Sequence, residues 1–263
     1  MSALPILLYH SIDDEPQSDV ARWSVTPQEF AEHMSVLWHG GWRTVPLGEL
    51  AWLARTGAPW PDRCVAVTFD DGFEDVLTRA MPVMDDMVAT VYMTSGWLRD
   101  RASGAPAAPG RMLAADQLAE IVSAGWEVGV HGHSHVALDA VPKAVAAREI
   151  TDSKHIVEDV LGAQASGFAY PYGYHDRGVQ RLVEDAGFDH AVAVKNTHSH
   201  VRDDQWGLAR ITVERGMSAR WLERTLAQPA PRTAPRNERL RTIGWRQVRR
   251  ARTALDGTTS VSV

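Results

Sequence analysis

Apolar and polar positions along the chain fall into runs of two periods. Residues 4–9, 65–69, 90–93, 126–130, 167–170 and 191–194 are short stretches rich in β-branched, aromatic and small apolar side chains. Continuous apolar runs of this length are the pattern of strands buried on both faces. Between them apolar residues return every three or four positions, as Phe30, Met34 and Leu37 do, which predicts helices with one buried face. Helices are expected from residue 26 to the Gly40-Gly41 stop, over 47–53, from 73 towards 87, and over 113–123, 143–161 and 177–186. The first opens with Thr26-Pro27-Gln28-Glu29, a capping box with proline in the first turn. Residues 101–110, rich in Ala, Gly and Pro, read as a loop. Strands that alternate with helices over short connections predict a parallel α/β sheet, and active residues at successive strand ends favour a barrel rim.

Two of these strands end in metal-competent residues. The run Val65-Ala66-Val67-Thr68-Phe69 leads into Asp70-Asp71-Gly72, and Val128-Gly129-Val130 leads into His131-Gly132-His133-Ser134-His135. Adjacent carboxylates repel and ionise together at low cost only when a cation shares their field. Asp71, His131 and His135 offer one oxygen and two nitrogens, enough to hold Zn²⁺ with one position open to water, which then titrates near neutrality. Asp70 is left free as a general base. A strand continued through the histidines would instead place His131, His133 and His135 on one face; Gly132 and Ser134 favour a loop.

Composition narrows the setting. The chain has 263 residues, 44% hydrophobic, with a net charge of −6, enough for one large α/β domain and unsuited to general nucleic-acid binding. A single cysteine, Cys64, excludes an internal disulfide framework. No apolar run reaches membrane-spanning length and the first residues lack a basic leader, so a cytoplasmic protein is expected. The catalytic domain is expected over 1–228. The prolines at 229, 231 and 235 mark the start of a Pro/Arg-rich tail over 229–263. In that tail Leu240, Ile243, Val248, Ala251 and Leu255 share a helical face among Arg239, Arg241, Arg246, Arg249, Arg250 and Arg252. Such a basic amphipathic segment suits a membrane surface or an acidic partner, or packs on its own acidic domain.

Thr68-Phe69-Asp70-Asp71-Gly72 resembles the first motif of the polysaccharide deacetylases, the NodB homology domain of carbohydrate esterase family 4. His131 to His135 is similar to their second motif, with Gly132 where a hydroxyl residue stands. Phe168-Ala169-Tyr170-Pro171-Tyr172-Gly173 resembles the third, with Ala169 in place of its arginine. Leu8-Tyr9-His10-Ser11 and Leu208-Ala209-Arg210-Ile211 also look like members of this family. The resemblance spans about residues 4–226 and implies a distorted (β/α)₇ barrel. It further implies hydrolysis of an N-acetyl group, usually on N-acetylglucosamine, with a divalent metal: Zn²⁺ first, then Co²⁺, Mn²⁺, Ni²⁺ or Fe²⁺. By it Asp71, His131 and His135 hold the metal, Asp70 is the base, and the Tyr172 N–H stabilises the oxyanion. Arg210 is the candidate to replace the missing arginine. The family's late acid motif is absent, which leaves His10, His198 and His200 as candidates because each follows an apolar run.

The expected partner is therefore an N-acetylated sugar or glycan, or a sugar-bearing metabolite. Two alternatives use the same residues: an amide or imide hydrolase on a non-sugar substrate, and a glycan-binding module without turnover. Asp70 argues against the second, because a module that only binds has no use for a spare carboxylate. A two-histidine, one-carboxylate Fe(II) oxygenase fits the ligand types but not their order.

Overall fold

The computed structural model describes residues 3–228, 244–245 and 247–250. Over residues 3–228, ten strands and seven α-helices alternate: β1 (Ala3–Leu4), β2 (Ile6–Tyr9), α1 (Pro27–His39), β3 (Arg43–Thr44), α2 (Leu47–Thr56) and β4 (Cys64–Phe69), followed by α3 (Met81–Met84) and β5 (Thr90–Met93). The second half holds α4 (Ala115–Ser123), β6 (Glu127–Val130), α5 (Lys143–Leu161), β7 (Gly167–Ala169), α6 (Arg177–Asp185), β8 (His190–Val194), β9 (Ser199–His200), β10 (Leu208–Thr212) and α7 (Ala219–Ala227). Seven parallel strands run β2-β10-β8-β7-β6-β5-β4, and β4 pairs back onto β2, so the barrel closes. The short β3 lies outside the ring on β4. This is the distorted (β/α)₇ barrel that the resemblance implied.

Alternation within each strand divides the core. Leu7, Tyr9, Val65, Val67, Phe69, Val91, Val128, Phe168 and Ala191 pack outward with the helices in one large cluster. Ile6, Ala66, Tyr92, Ala169, Val192 and Leu208 form a second cluster with Leu47 and Leu50 of α2. The second set is the barrel interior, and α2 covers its N-terminal mouth. There the Leu47 N–H donates to Thr90 Oγ1 and the Gly48 N–H to Glu127 Oε2.

Three helices, α1, α6 and α7, begin at side-chain caps, Thr26, Asp176 and Ser218. The Thr26 hydroxyl accepts from the Glu29 N–H while Glu29 answers the Thr26 N–H, so the capping box starts α1. The helix expected from residue 73 departs from its pattern. Over Val76–Ala80 the turn widens, and the Met81 N–H reaches back to Val76 O. Pro82 has no N–H to give Thr78, so the α-helical ladder cannot close there.

Two further differences concern strands. Residues 208–212 carried no strand expectation, yet β10 closes the barrel between β8 and β2. Its polar centre, Arg210, breaks the apolar run, and only the finished interior satisfies it. Nor do His198 and His200 lie at the active rim. β9 runs antiparallel to β1, with His200 opposite Ala3 and Ser199 opposite Leu4. β1 precedes the bottom of β2, so His200 sits at the N-terminal end of the barrel. His198 lies against the backbone of Thr225 in α7. An apolar run marked a strand correctly, but not which barrel end the chain had returned to.

Candidate metal and catalytic centre

At the C-terminal end of β4 the chain turns sharply through Asp71 (φ 74°) and Gly72 (φ 91°). A Cβ on Gly72 would collide with the Met93 thioether, so the turn admits only glycine here. His135 (φ 54°) and Tyr172 (φ 59°) are also left-handed. Non-glycine residues held this way cost about 1–3 kcal/mol each and gather where surrounding structure enforces a site. Asp71, His135 and Tyr172 are half of the six such residues in the described chain.

The three ligand candidates converge. Asp71 Oδ1 lies 3.5 Å from His131 Nε2 and 3.3 Å from His135 Nε2, and one donor atom from each residue falls within 4.8 Å of the other two. Asp71 Oδ1 is buried and has no hydrogen-bond partner among the described residues. Two donors each about 2.05 Å from a tetrahedral Zn²⁺ stand roughly 3.3 Å apart. The spacing and the bare oxygen therefore fit a shared cation. His131 Nδ1 lies 2.7 Å from Ala169 O, a donation that fixes the tautomer and turns Nε2 inward. Burial lowers His131 and His135 to a pKa of about 4, leaving both imidazoles neutral, the form that ligates a metal. Burial also raises the Asp71 carboxyl, an effect His10 and His131 only partly offset.

His133 is no part of this set. Its Nδ1 lies 2.9 Å from Ser95 Oγ, and its N–H, with that of Ser134, donates to Glu149 Oε2 at 3.0 and 2.8 Å. Glu149, on α5, thereby shapes the loop that separates His131 from His135.

Asp70 has a different environment. Arg210 Nη1 and Nη2 donate to its two oxygens, each at 2.6 Å, and Nη1 also reaches Thr68 Oγ1 at 3.3 Å. Arg210 is fully buried, its guanidinium 5.6 Å from the Tyr92 ring centre. Burial pushes the Asp70 carboxyl up, but Arg210 and then His131 outweigh it and hold the pKa at about 2. Arg210 on β10 lies two strands from Ala169 on β7, and both face the barrel interior. His10, at the end of β2, bears electrostatically on Asp70, Asp71 and His135. Its Nδ1 is buried without a partner among the described residues, and its ring lies 5.8 Å from Trp23.

Aromatic walls enclose His135: the Trp97 ring lies 5.1 Å away and the Tyr172 ring 4.5 Å, edge-on. Tyr172 follows β7, and Gly173 (φ 71°) beside it has no room for a Cβ against Val194 N, which would lie 2.6 Å off. Trp97, Glu149 and Trp23 had no signal in the sequence, because nothing in a lone tryptophan or helical glutamate shows what it will face. Of the C-terminal tail, residues 247–250 are helical. Val248, assigned to the apolar face, is exposed, while Arg249 is buried; Leu240, Ile243, Ala251 and Leu255 lie outside the described residues.

The closed seven-stranded barrel and the converging Asp71, His131 and His135 are accompanied by direct likeness to known proteins. The family model for polysaccharide deacetylase matches residues 57–191, and the chain belongs to that family. It is 26% identical over 217 residues to YxkH of Bacillus subtilis, provisionally named a polysaccharide deacetylase, covering 82% of this chain and 73% of that protein. It is 30% identical over 76 residues to the poly-β-1,6-N-acetyl-D-glucosamine N-deacetylase of Escherichia coli K12, covering 29% of this chain and 11% of that one. The fold superposes on the Streptococcus pyogenes deacetylase PplD, solved with acetate, at a TM-score of 0.77 and 22% identity, covering 87% of this chain and 99% of that chain. Among the described residues no helix is long and apolar enough to cross a membrane.

Proposed function

We propose that this chain is a metal-dependent N-deacetylase of N-acetylated glycans, with Asp71, His131 and His135 as the ligands of a divalent metal, Zn²⁺ first among the candidates. The observation that carries this reading is the different fate of two adjacent carboxylates. Asp71 turns a bare oxygen towards two neutral imidazoles, and Asp70 is gripped by Arg210 on both oxygens. A metal held there supplies Lewis acidity to the acyl oxygen and to the attacking water.

The remaining steps belong to this chain's own groups. Asp70, ionised at any working pH and aimed by Arg210, accepts the proton of the water that adds to the acetamide carbon. The Tyr172 N–H, presented by its left-handed backbone, donates to the acyl oxygen as charge develops. His10 delivers a proton to the sugar nitrogen as the C–N bond breaks, giving acetate and a free amine. An N-acetylglucosamine polymer as substrate is supported by the name of the Escherichia coli relative, over its 76 matched residues.

The test is acetate release by the full chain, loaded with Zn²⁺, from β-1,4- and β-1,6-linked N-acetylglucosamine oligomers. Asp70→Asn with the same metal content is the control. Release by the wild type alone is expected. Metal-loaded wild type that frees acetate from no sugar would overturn the glycan reading, and equal release by Asp70→Asn would overturn the role of Asp70.

A further inference from the structure

Two of the described C-terminal residues, Arg249 and Arg250, meet the barrel at its rim loops. Arg249 Nη2 donates to both oxygens of Asp139, at 3.0 and 2.8 Å, and the two side chains are 3% and 0% exposed. The guanidinium carbon of Arg249 lies 3.7 Å from the Tyr174 ring centre. Arg250 Nε donates to Asp139 O at 2.8 Å, and its Nη2 reaches Asp176 at 3.2 Å. A solvated tail would pay side-chain entropy and desolvation for such contacts without return. A buried arginine with both a carboxylate and an aromatic face is a built contact.

Its position gives it meaning. Asp139 lies four residues beyond His135, on the loop that leaves β6, and Tyr174 lies two beyond Tyr172, on the loop that leaves β7. The rings form a continuous series. Tyr174 stacks on Tyr172 at 5.9 Å, and Tyr172 meets His135 edge-on at 4.5 Å. Arg249 therefore joins the loop with a candidate metal ligand to the loop with the candidate oxyanion donor. Both loops hold a left-handed residue, His135 and Tyr172, and such conformations persist only where packing enforces them. Arg249 lies beyond residues 57–191, whereas Asp139 and Tyr174 lie within them, so the contact ties the C-terminal segment to the matched core.

We propose that Arg249 is a positioning residue: it clamps the two rim loops through Asp139 and Tyr174 and so fixes the Tyr172 N–H relative to the Asp71–His131–His135 cluster. The proposal rests on the deacetylase reading for its kinetic consequence, but not for its structural one. The C-terminal segment then completes the active site, and its deletion is expected to lower turnover.

The experiment compares Arg249→Met, Arg249→Lys and Tyr174→Leu with wild type in the full, Zn²⁺-loaded chain. The readouts are metal content, kcat and KM for acetate release, and amide exchange over residues 171–176. A displacement of about 1 Å at a reacting centre costs on the order of a hundredfold in rate. Arg249→Met is expected to lower kcat at least tenfold with KM within twofold and one metal per chain retained. Arg249→Lys, which keeps the charge on Asp139 but not the flat stacking surface, recovers part of the loss. Tyr174→Leu leaves the ion pair intact and reproduces the fall in kcat. Exchange over 171–176 rises at least tenfold in Arg249→Met while α1 is unchanged. Unchanged kcat would overturn the proposal, as would kcat, KM and metal content all falling together with melting temperature, the mark of a merely structural pair. If wild type proves inactive on every sugar, the deacetylase reading fails, and unchanged exchange over 171–176 still overturns the clamp.

Discussion

Arg210→Met isolates what holds the Asp70 carboxylate. The substitution keeps length and apolar bulk inside the barrel but removes both 2.6 Å bonds to Asp70 and the charge behind them. Asp70 and Arg210 are 3% and 0% exposed in their side chains, so solvent cannot take over. Removing one partner of a buried pair costs about 3–5 kcal/mol, because the other charge is left uncompensated. For a chain of this size that lowers Tm by roughly 6–20 °C. The pH dependence has a definite sign. Asp70 is depressed from 3.8 to about 2 in the fold, so its contribution is complete above pH 3.8 and is lost as pH falls towards 2. In Arg210→Met that acid-side loss disappears, since burial alone pushes the carboxyl upward. The assay is thermal unfolding of wild type, Arg210→Met, Asp70→Asn and the double variant from pH 2 to 7, with acetate release alongside. The double variant, with neither charge of the pair left, is expected to recover most of the stability lost by Arg210→Met and none of the turnover. A single variant as stable as wild type, or a double variant no more stable than Arg210→Met, would refute the reasoning.

Other expectations follow from the same geometry. Asp71→Ala and His131→Ala lose bound metal by elemental analysis, whereas Asp70→Asn keeps it and loses turnover by about 10²–10⁴-fold; metal loss in Asp70→Asn would show that the two carboxylates share one role. His10→Asn, with metal retained, is expected to lower kcat within the same range for an N-acetyl sugar and far less for an activated aryl acetate, whose leaving group needs no proton; equal losses on the two substrates would remove His10 from the acid role. Asp75, its Oδ1 buried without a partner among the described residues, is raised by burial to about 6. A carboxyl raised in the fold destabilises as it ionises. Asp75→Asn should therefore match wild type in stability below pH 4 and exceed it increasingly as pH rises past 6, by on the order of 3 kcal/mol. Equal pH–stability curves would rule this out.

Much of the molecule was legible as a sequence because it depends on local chemistry. Runs such as Val65–Val67 can satisfy themselves only between other strands, Thr26 and Glu29 cap a helix through their own side chains, and Asp70-Asp71-Gly72 followed by paired histidines narrows to few chemistries at any strand end. These properties travel with short segments and do not depend on what packs against them. The rest was decided by long-range closure. Arg210, offered by the resemblance as a stand-in for the missing arginine, reads by pattern alone as a charge interrupting an apolar run, and it meets Asp70 only when β10 inserts between β8 and β2, 140 residues away in the chain. His200 follows an apolar run as His10 does, yet the antiparallel return of β9 carries it to the far end of the barrel. Arg249, one arginine among many in the tail, is singled out by Asp139, 110 residues earlier. Pattern determined the strands and the ligand types, because burial and chelation are properties of residues. Which side chains face one another is a property of the closed barrel, and it exists only once the barrel has closed.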